Sequence, residues 1–306
     1  MLIRIPKGWE IPERQVTPES TYHNRRELLK MAGLAAAGLP LMGLERTPGK
    51  RNPEFGSGLT VTPEWVSTSY NNFYELDATS KEEPAKVAGK FQISPWKVEI
   101  KGLCAKPQTI DLDALKKDFP AEERVYRMRC VERWAIVVPW SGFPLSELIK
   151  RAEPKPEAKY VRFITVNRPE QLPGMRQALN YDWPYNEGLR MDEAMNPLTM
   201  VTTGMYGKPL PKQNGAPIRI VTPWKYGYKS PKSIVTIEFT DKQPKTLWNV
   251  ANAREYGFYS NVNPNQPHPR WSQAIEELLP DGTRQKTLLY NGYTDYVAKM
   301  YKGDEH

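Results

Sequence analysis

The sequence predicts one α+β domain dominated by mixed β structure, on three observations. Its apolar runs are short and alternate with polar residues, as half-buried strands do. Its 29 prolines break the chain too often for long helices. Helical spacing is confined to a few short stretches. A length of 306 residues is ample for a real hydrophobic core, and the 39% hydrophobic and 11% aromatic content excludes wholesale disorder.

Taken in order, residues 45–70 read as an irregular entry segment. Residues 95–104 (PWKVEIKGLC) alternate and predict a strand. Residues 109–120 place acidic side chains ahead of Ala-Leu-Lys-Lys, predicting a short helix stopped before Pro120. Residues 123–134 (ERVYRMRCVERW) predict a strand. Residues 143–152 have helical apolar spacing, starting at Ser146 or at the preceding Gly-Phe-Pro. A strand at 159–166 and a short helix at 189–196 follow. Residues 216–241 read as two strands joined by an aromatic, basic loop, and the chain beyond 245 as loop-rich. No internal repeat or low-complexity block interrupts the body.

The net charge is +8. No run of five basic residues and no zinc-finger or RNA-module signature accompanies it, so nucleic acid is not the expected partner. Of three histidines, His23 and His306 lie at the chain's extremes and only His268 is available to a core. That excludes a histidine-built zinc site and a bis-histidine haem, and leaves His268 alone for any triad.

Residues 23–44 (HNRRELLKMAGLAAAGLPLMGL) put Arg25-Arg26 ahead of Leu28-Leu29-Lys30 and about fourteen mostly apolar residues, too few to span a bilayer. The pattern resembles a twin-arginine export signal. The expected organisation is therefore a signal peptide over 1–44 and one domain over 45–306, exported to the periplasm. Twin-arginine cargo usually folds around a cofactor before export. The label also puts the only two cysteines, Cys104 and Cys130, in an oxidising compartment. A Cys104–Cys130 disulfide is one reading of them; a metal thiolate at Cys130 is the other.

Three segments concentrate unusual residues: SYNNFYEL (69–76), the run around Cys130, and GKPLPKQNGAPIRIVTPWKYGYKSPKSI (207–234). With YRMRCVERW, VVPWSGFPL, GLRMDEAM, QNGAPIR, PWKYGYK, EYGFYSNVNP and HPRWSQA, they resemble the catalytic subunits of periplasmic protein-methionine-sulfoxide reductases, in the sulfite oxidase fold family. The resemblance runs through essentially the whole body. It implies a β-rich molybdopterin-binding domain without the C-terminal immunoglobulin-like dimerisation domain, hence a monomer. It implies Mo-molybdopterin, one per chain, with Cys130 as the metal's thiolate ligand. A soft thiolate suits a soft redox metal, and the neighbouring arginines are expected to favour the anion. Cofactor contacts then fall on Asn71, Tyr74, Glu75, Thr165, Asn214, Arg219, Ser230, Pro231 and Lys232.

The implied activity is reduction of methionine sulfoxide residues in proteins, of either sulfur configuration, by oxygen-atom transfer to molybdenum. Glu132, two residues past the ligand and on the same strand face, is expected as a proton source; an ion pair with Arg129 or Arg133 is its other reading. Trp140, Tyr226 and Tyr228 are candidates to hold a polypeptide. Electrons are expected from a membrane haem-binding subunit. Two departures matter. Sulfite oxidases carry Asn and Arg soon after the metal cysteine and a His within the segment matching QNGAPIR; Val131-Glu132 and Asn214 stand there in this chain, which argues against sulfite oxidation. Ser230-Pro231 replaces other small or apolar residues, and Pro231 has no N–H to donate. The competing readings are a sulfite dehydrogenase, a reductase of small S- or N-oxides, and an exported, disulfide-bonded binding protein without a metal.

Overall fold

The computed structural model describes residues 49–56 and 58–302. The twin-arginine segment lies outside them. Two sheets organise the chain. The smaller contains β1 (Lys97–Gly102), β2 (Gln108–Asp111), β5 (Tyr160–Thr165), β6 (Asn186–Arg190) and β9 (Ile234–Thr240), in the order β2-β1-β9-β5-β6. Their alternation decides which face is buried: Val98 and Ile100 on β1, Val161 and Phe163 on β5, and Ile237 and Phe239 on β9 all point into one core. A bulge between Ile234 and Thr236 returns Ile234 to that face.

The larger sheet is built on β4 (Trp134–Pro144), which pairs from Ala135 to Gly142 with the whole of β3 (Glu122–Arg129). The start of β4 also pairs in parallel with β10 (Ile275–Leu278), itself paired with β11 (Thr283–Lys286). Its far half pairs with β7 (Met200–Met205), which carries β8 (Arg219–Val221). The two-residue strands Lys50–Arg51 and Lys208–Pro209 complete the sheet. β4 and β7 are buried on both faces, so neither alternates. That is why sequence periodicity passed over them.

The helices are short. α1 (Glu64–Ser69) lies within the segment expected to be irregular, and only Val66 and Ser67 of it are buried. α2 (Leu112–Asp118) begins after β2 has used residues 109–111 of the expected helix. α3 (Leu145–Ala152) buries Leu145, Leu148, Ile149 and Ala152, one face at helical spacing, and starts at Pro144 rather than Ser146. α4 (Met191–Met195) follows β6, and α5 (Leu247–Ala251) lies in the region read as loop-rich. Among the described residues no helix is long and apolar enough to cross a membrane.

The expected strand over 123–134 is corrected. β3 ends at Arg129, and Cys130–Arg133 is a tight turn closed by the Cys130 N–H on the Trp134 carbonyl (2.9 Å) and the Arg133 N–H on the Cys130 carbonyl (3.0 Å). Arg133 takes φ +79°, and no residue type in CVER announces that left-handed step.

Candidate active site

Segments distant in sequence converge on one cleft. Of the residues singled out from sequence, Asn71, Tyr74, Glu75, Cys130, Glu132, Asn214, Arg219, Ser230, Pro231 and Lys232 all line it. Thr165 does not. It ends β5 behind the wall, its buried hydroxyl against the Glu75 carboxyl.

The 3₁₀ turn Lys212–Asn214 and the loop from 222 to 233 form one wall. Gly215 holds them together: its φ is +98°, and an added Cβ would lie 2.8 Å from Cβ of Lys232. Arg219, 2% exposed, donates to the carbonyls of Asn214 (2.8 Å) and Ser230 (3.2 Å) and stacks 4.9 Å over Trp140. Among the described residues no carboxylate pairs with it. Lys232 donates to the Asn72 carbonyl (2.7 Å) and lies 5.2 Å over the Phe73 ring. Burial pulls Arg219 down to about 9, and burial together with Arg219 pulls Lys232 down to about 8. Burial raises Glu75 to about 7, partly offset by Lys232. Two converging buried cations with so little compensation form an anion seat. The departure at 230–231 falls on inward backbone: the Ser230 hydroxyl accepts the Thr222 N–H (3.1 Å), and the Pro231 carbonyl accepts the Ile220 N–H (3.0 Å).

The cleft also presents unsatisfied polar atoms. Asn71 and Asn214 both donate their side-chain amide to the Ser67 carbonyl (3.1 and 2.8 Å), which fixes both amide orientations. Their Oδ1 atoms, and the Trp140 Nε1, are buried without a hydrogen-bond partner. Such atoms normally have one. Together they offer acceptors and a donor to a heterocycle that has both.

Cys130 lies at the foot of the cleft, buried and free, and Cys104 is also free. They sit in different packing clusters, which removes the disulfide reading. Burial, then Glu132, pushes the Cys130 thiol up to about 12, outweighing Arg129 and Lys81. Of the neighbouring arginines, Arg129 favours the thiolate as expected, but burial and Glu132 outweigh it. Arg127 and Arg129 are buried and both pair with Glu276 behind the turn, while Arg133 faces Glu277. A coordinated metal would deprotonate the thiol outright. Among the described residues no group of three or more His, Cys, Asp or Glu side chains could hold a metal. A metal at Cys130 must bring most of its ligands with it, as a pterin dithiolene does. Anion seat, amide acceptors and lone soft donor all fit that group.

Glu132 faces the cleft because the turn carries it there, not because of strand alternation. Its N–H points at the Cys130 sulfur (3.5 Å), and its carboxylate lies 3.9 Å from that sulfur. The carboxylate pairs with Lys81 (3.0 Å) and accepts from Asn72 (3.0 Å), so the expected ion pair with Arg129 or Arg133 is replaced by one with Lys81. Sequence reasoning missed Lys81 altogether; Asn72 was visible only as the second asparagine of YNNF.

The expected polypeptide-holding aromatics are also revised. Trp140 (1% exposed) and Tyr226 are buried, and Tyr228 is a wall residue bonded to Ser260. Tyr74, Trp248 and Tyr256 instead line both the cleft and a shallower outer depression, which Tyr181 and Trp271 extend. His268 stacks face to face on Trp271, with ring centroids 3.9 Å apart.

Comparison with known proteins agrees with this geometry. Residues 85–248 match the oxidoreductase molybdopterin binding domain. The chain is 51% identical to the protein-methionine-sulfoxide reductase catalytic subunit MsrP of Burkholderia mallei (strain ATCC 23344), over 97% of this chain and 94% of that protein. It is 48% identical to the subunit of the same name from Ralstonia nicotianae (strain ATCC BAA-1114 / GMI1000), over 99% and 98%. The solved sulfane dehydrogenase SoxCD from Paracoccus pantotrophus aligns with a TM-score of 0.46 at 18% identity, covering 90% of this chain and 64% of that one. A lone buried thiol facing two buried cations, in a chain half identical to these relatives, makes this protein a molybdopterin-binding oxidoreductase of the protein-methionine-sulfoxide reductase catalytic subunit family.

Proposed function

We propose that this chain reduces methionine sulfoxide residues in periplasmic proteins, of both sulfur configurations, after twin-arginine export, with electrons from a membrane haem-binding subunit. The observation that carries the reading is the free Cys130 thiol at the foot of a cleft whose far wall holds Arg219 and Lys232. When bound, Mo-molybdopterin would take up the sulfoxide oxygen while giving up two electrons. The chain supplies the rest. Cys130 ligates the metal. Arg219 and Lys232 hold the cofactor's phosphate, and the Asn71 and Asn214 amide oxygens accept from its ring donors. Tyr74, Glu75 and the Ser230–Pro231 backbone shape the cradle, with Thr165 behind Glu75.

Glu132, held by Lys81 and Asn72 beside the sulfur, is the acid–base group at the reacting end. The aromatic depression outside it admits a side chain while leaving the rest of a polypeptide in solvent. The test is metal analysis together with turnover on protein-bound R and S methionine sulfoxide, beside sulfite oxidation. The reading expects one molybdenum per chain, turnover of both diastereomers and negligible sulfite oxidation. Protein without metal, or preferring sulfite, overturns it.

A further inference from the structure

Trp271, at the edge of the outer depression, and the buried Gln273 both touch the backbone of the metal-ligand turn. The Val131 carbonyl accepts from Trp271 Nε1 (2.9 Å) and from Gln273 Nε2 (2.8 Å). That carbonyl belongs to the same peptide group as the Glu132 N–H, and in a trans peptide the two point in opposite directions. Two donors on the oxygen therefore fix the plane and aim the N–H at the Cys130 sulfur, 3.5 Å away. They also polarise the amide, because hydrogen bonds in a chain strengthen one another at low dielectric.

The two donors are themselves held. Gln273 is 2% exposed, and its Oε1 accepts from Arg129 (2.8 Å), which fixes its amide orientation; Arg129 is anchored by Glu276 (3.2 Å) and also donates to the Cys130 carbonyl. Trp271 is clamped between the His268 ring at 3.9 Å and the Arg270 guanidinium at 4.7 Å.

We propose that Trp271 and Gln273 are positioning residues that set the reduction potential of the metal through the Val131–Glu132 peptide. The inference rests on the reading that Cys130 ligates molybdenum. A hydrogen bond to a thiolate ligand draws electron density from sulfur, weakens its donation and favours the reduced metal, as in other metal–thiolate centres. Removing a donor from the Val131 carbonyl lets the peptide rotate and depolarise, so the potential falls.

The experiment compares wild type with Trp271→Phe, which keeps the ring on His268 but loses the N–H, with Gln273→Met, and with the double variant. Molybdenum per chain and the midpoint potential of the paramagnetic Mo(V) couple, followed by electron paramagnetic resonance, are the readouts. Each single variant is expected to keep its metal and titrate at lower potential than wild type, and the double variant lower still. Arg133→Gln, whose side chain faces Glu277 away from the sulfur, is the control and should leave the potential in place. Should the double variant lose its metal, Trp271→Phe decides, since its half-exposed ring leaves the core untouched. Potentials equal to wild type in metal-loaded variants overturn this inference alone; a wild type without molybdenum overturns the reading beneath it.

Discussion

Arg219→Met separates a residue kept for a ligand from one kept for the fold. The guanidinium is 2% exposed, and among the described residues it bonds to the carbonyls of Asn214, Ser230 and Ile220 and stacks over the Trp140 ring. Burial lowers it from 12.5 to about 9, which corresponds to a cost of about 5 kcal/mol for holding the charge. Methionine removes that cost and fills most of the same space. Against this stand three abandoned carbonyl acceptors, those of Asn214, Ser230 and Ile220, about 1 kcal/mol each, and the contact with Trp140, about 1 kcal/mol. The balance is a gain of about 1 kcal/mol in protein produced without cofactor, or about 2 °C in Tm for a domain of this size. The same change should abolish retention of molybdopterin, because it removes half of the anion seat. Thermal unfolding of cofactor-free protein and metal analysis of loaded protein are the two assays. A variant several kcal/mol less stable that still carries a full complement of metal would refute the reasoning, since Arg219 would then be structural.

Cys130→Ser should lose molybdenum and all oxygen-atom transfer, whereas Cys104→Ser, remote from the cleft, should keep both; metal content and turnover distinguish them. Lys81→Met releases the Glu132 carboxylate from a pair that is 33% and 28% exposed, so it should alter stability by less than about 1 kcal/mol while lowering kcat/KM for protein-bound sulfoxide several-fold. Gly215→Ala combines φ +98° with a 2.8 Å overlap on Lys232 and should cost about 2–4 kcal/mol by urea denaturation. Glu75 has its carboxyl raised from 4.5 to about 7, chiefly by burial. The folded chain therefore binds more protons than the unfolded one between those values, and stability falls as pH rises through that window. Cofactor-free Glu75→Gln should lack that slope.

Much of the site could be read from sequence because it is carried by short, distinctive strings: RCVE, QNGAPIR and YNNFYE each hold their residues within a few positions. What escaped was set by distance or by backbone. Glu132 finds Lys81 across 51 positions, and Arg127 and Arg129 find Glu276 across about 150, so local charge counting paired them wrongly. The turn at Cys130 was read as strand because Arg133, not glycine, takes the left-handed step. β4 and β7 hid because central strands covered on both faces show no period. The aromatic mouth hid for the opposite reason: Trp248 sits on a helix of five residues and Tyr256 and Trp271 in irregular chain, where only tertiary packing gathers them.

The backing of the ligand turn has a consequence in time. Cys130 leaves the ribosome about 140 residues before the strand that supports it, since Trp271, Gln273 and β10 close the turn, with the Glu277 N–H on the Arg133 carbonyl at 2.9 Å. At translation rates of about 5–20 residues per second, that is a gap of roughly 7–28 s. During it the thiol is present but the peptide that aims at it is not fixed. Loading a metal with correct geometry is thus an event that follows synthesis of the last strands, and a chain cut short before residue 271 would display its cysteine without a finished seat.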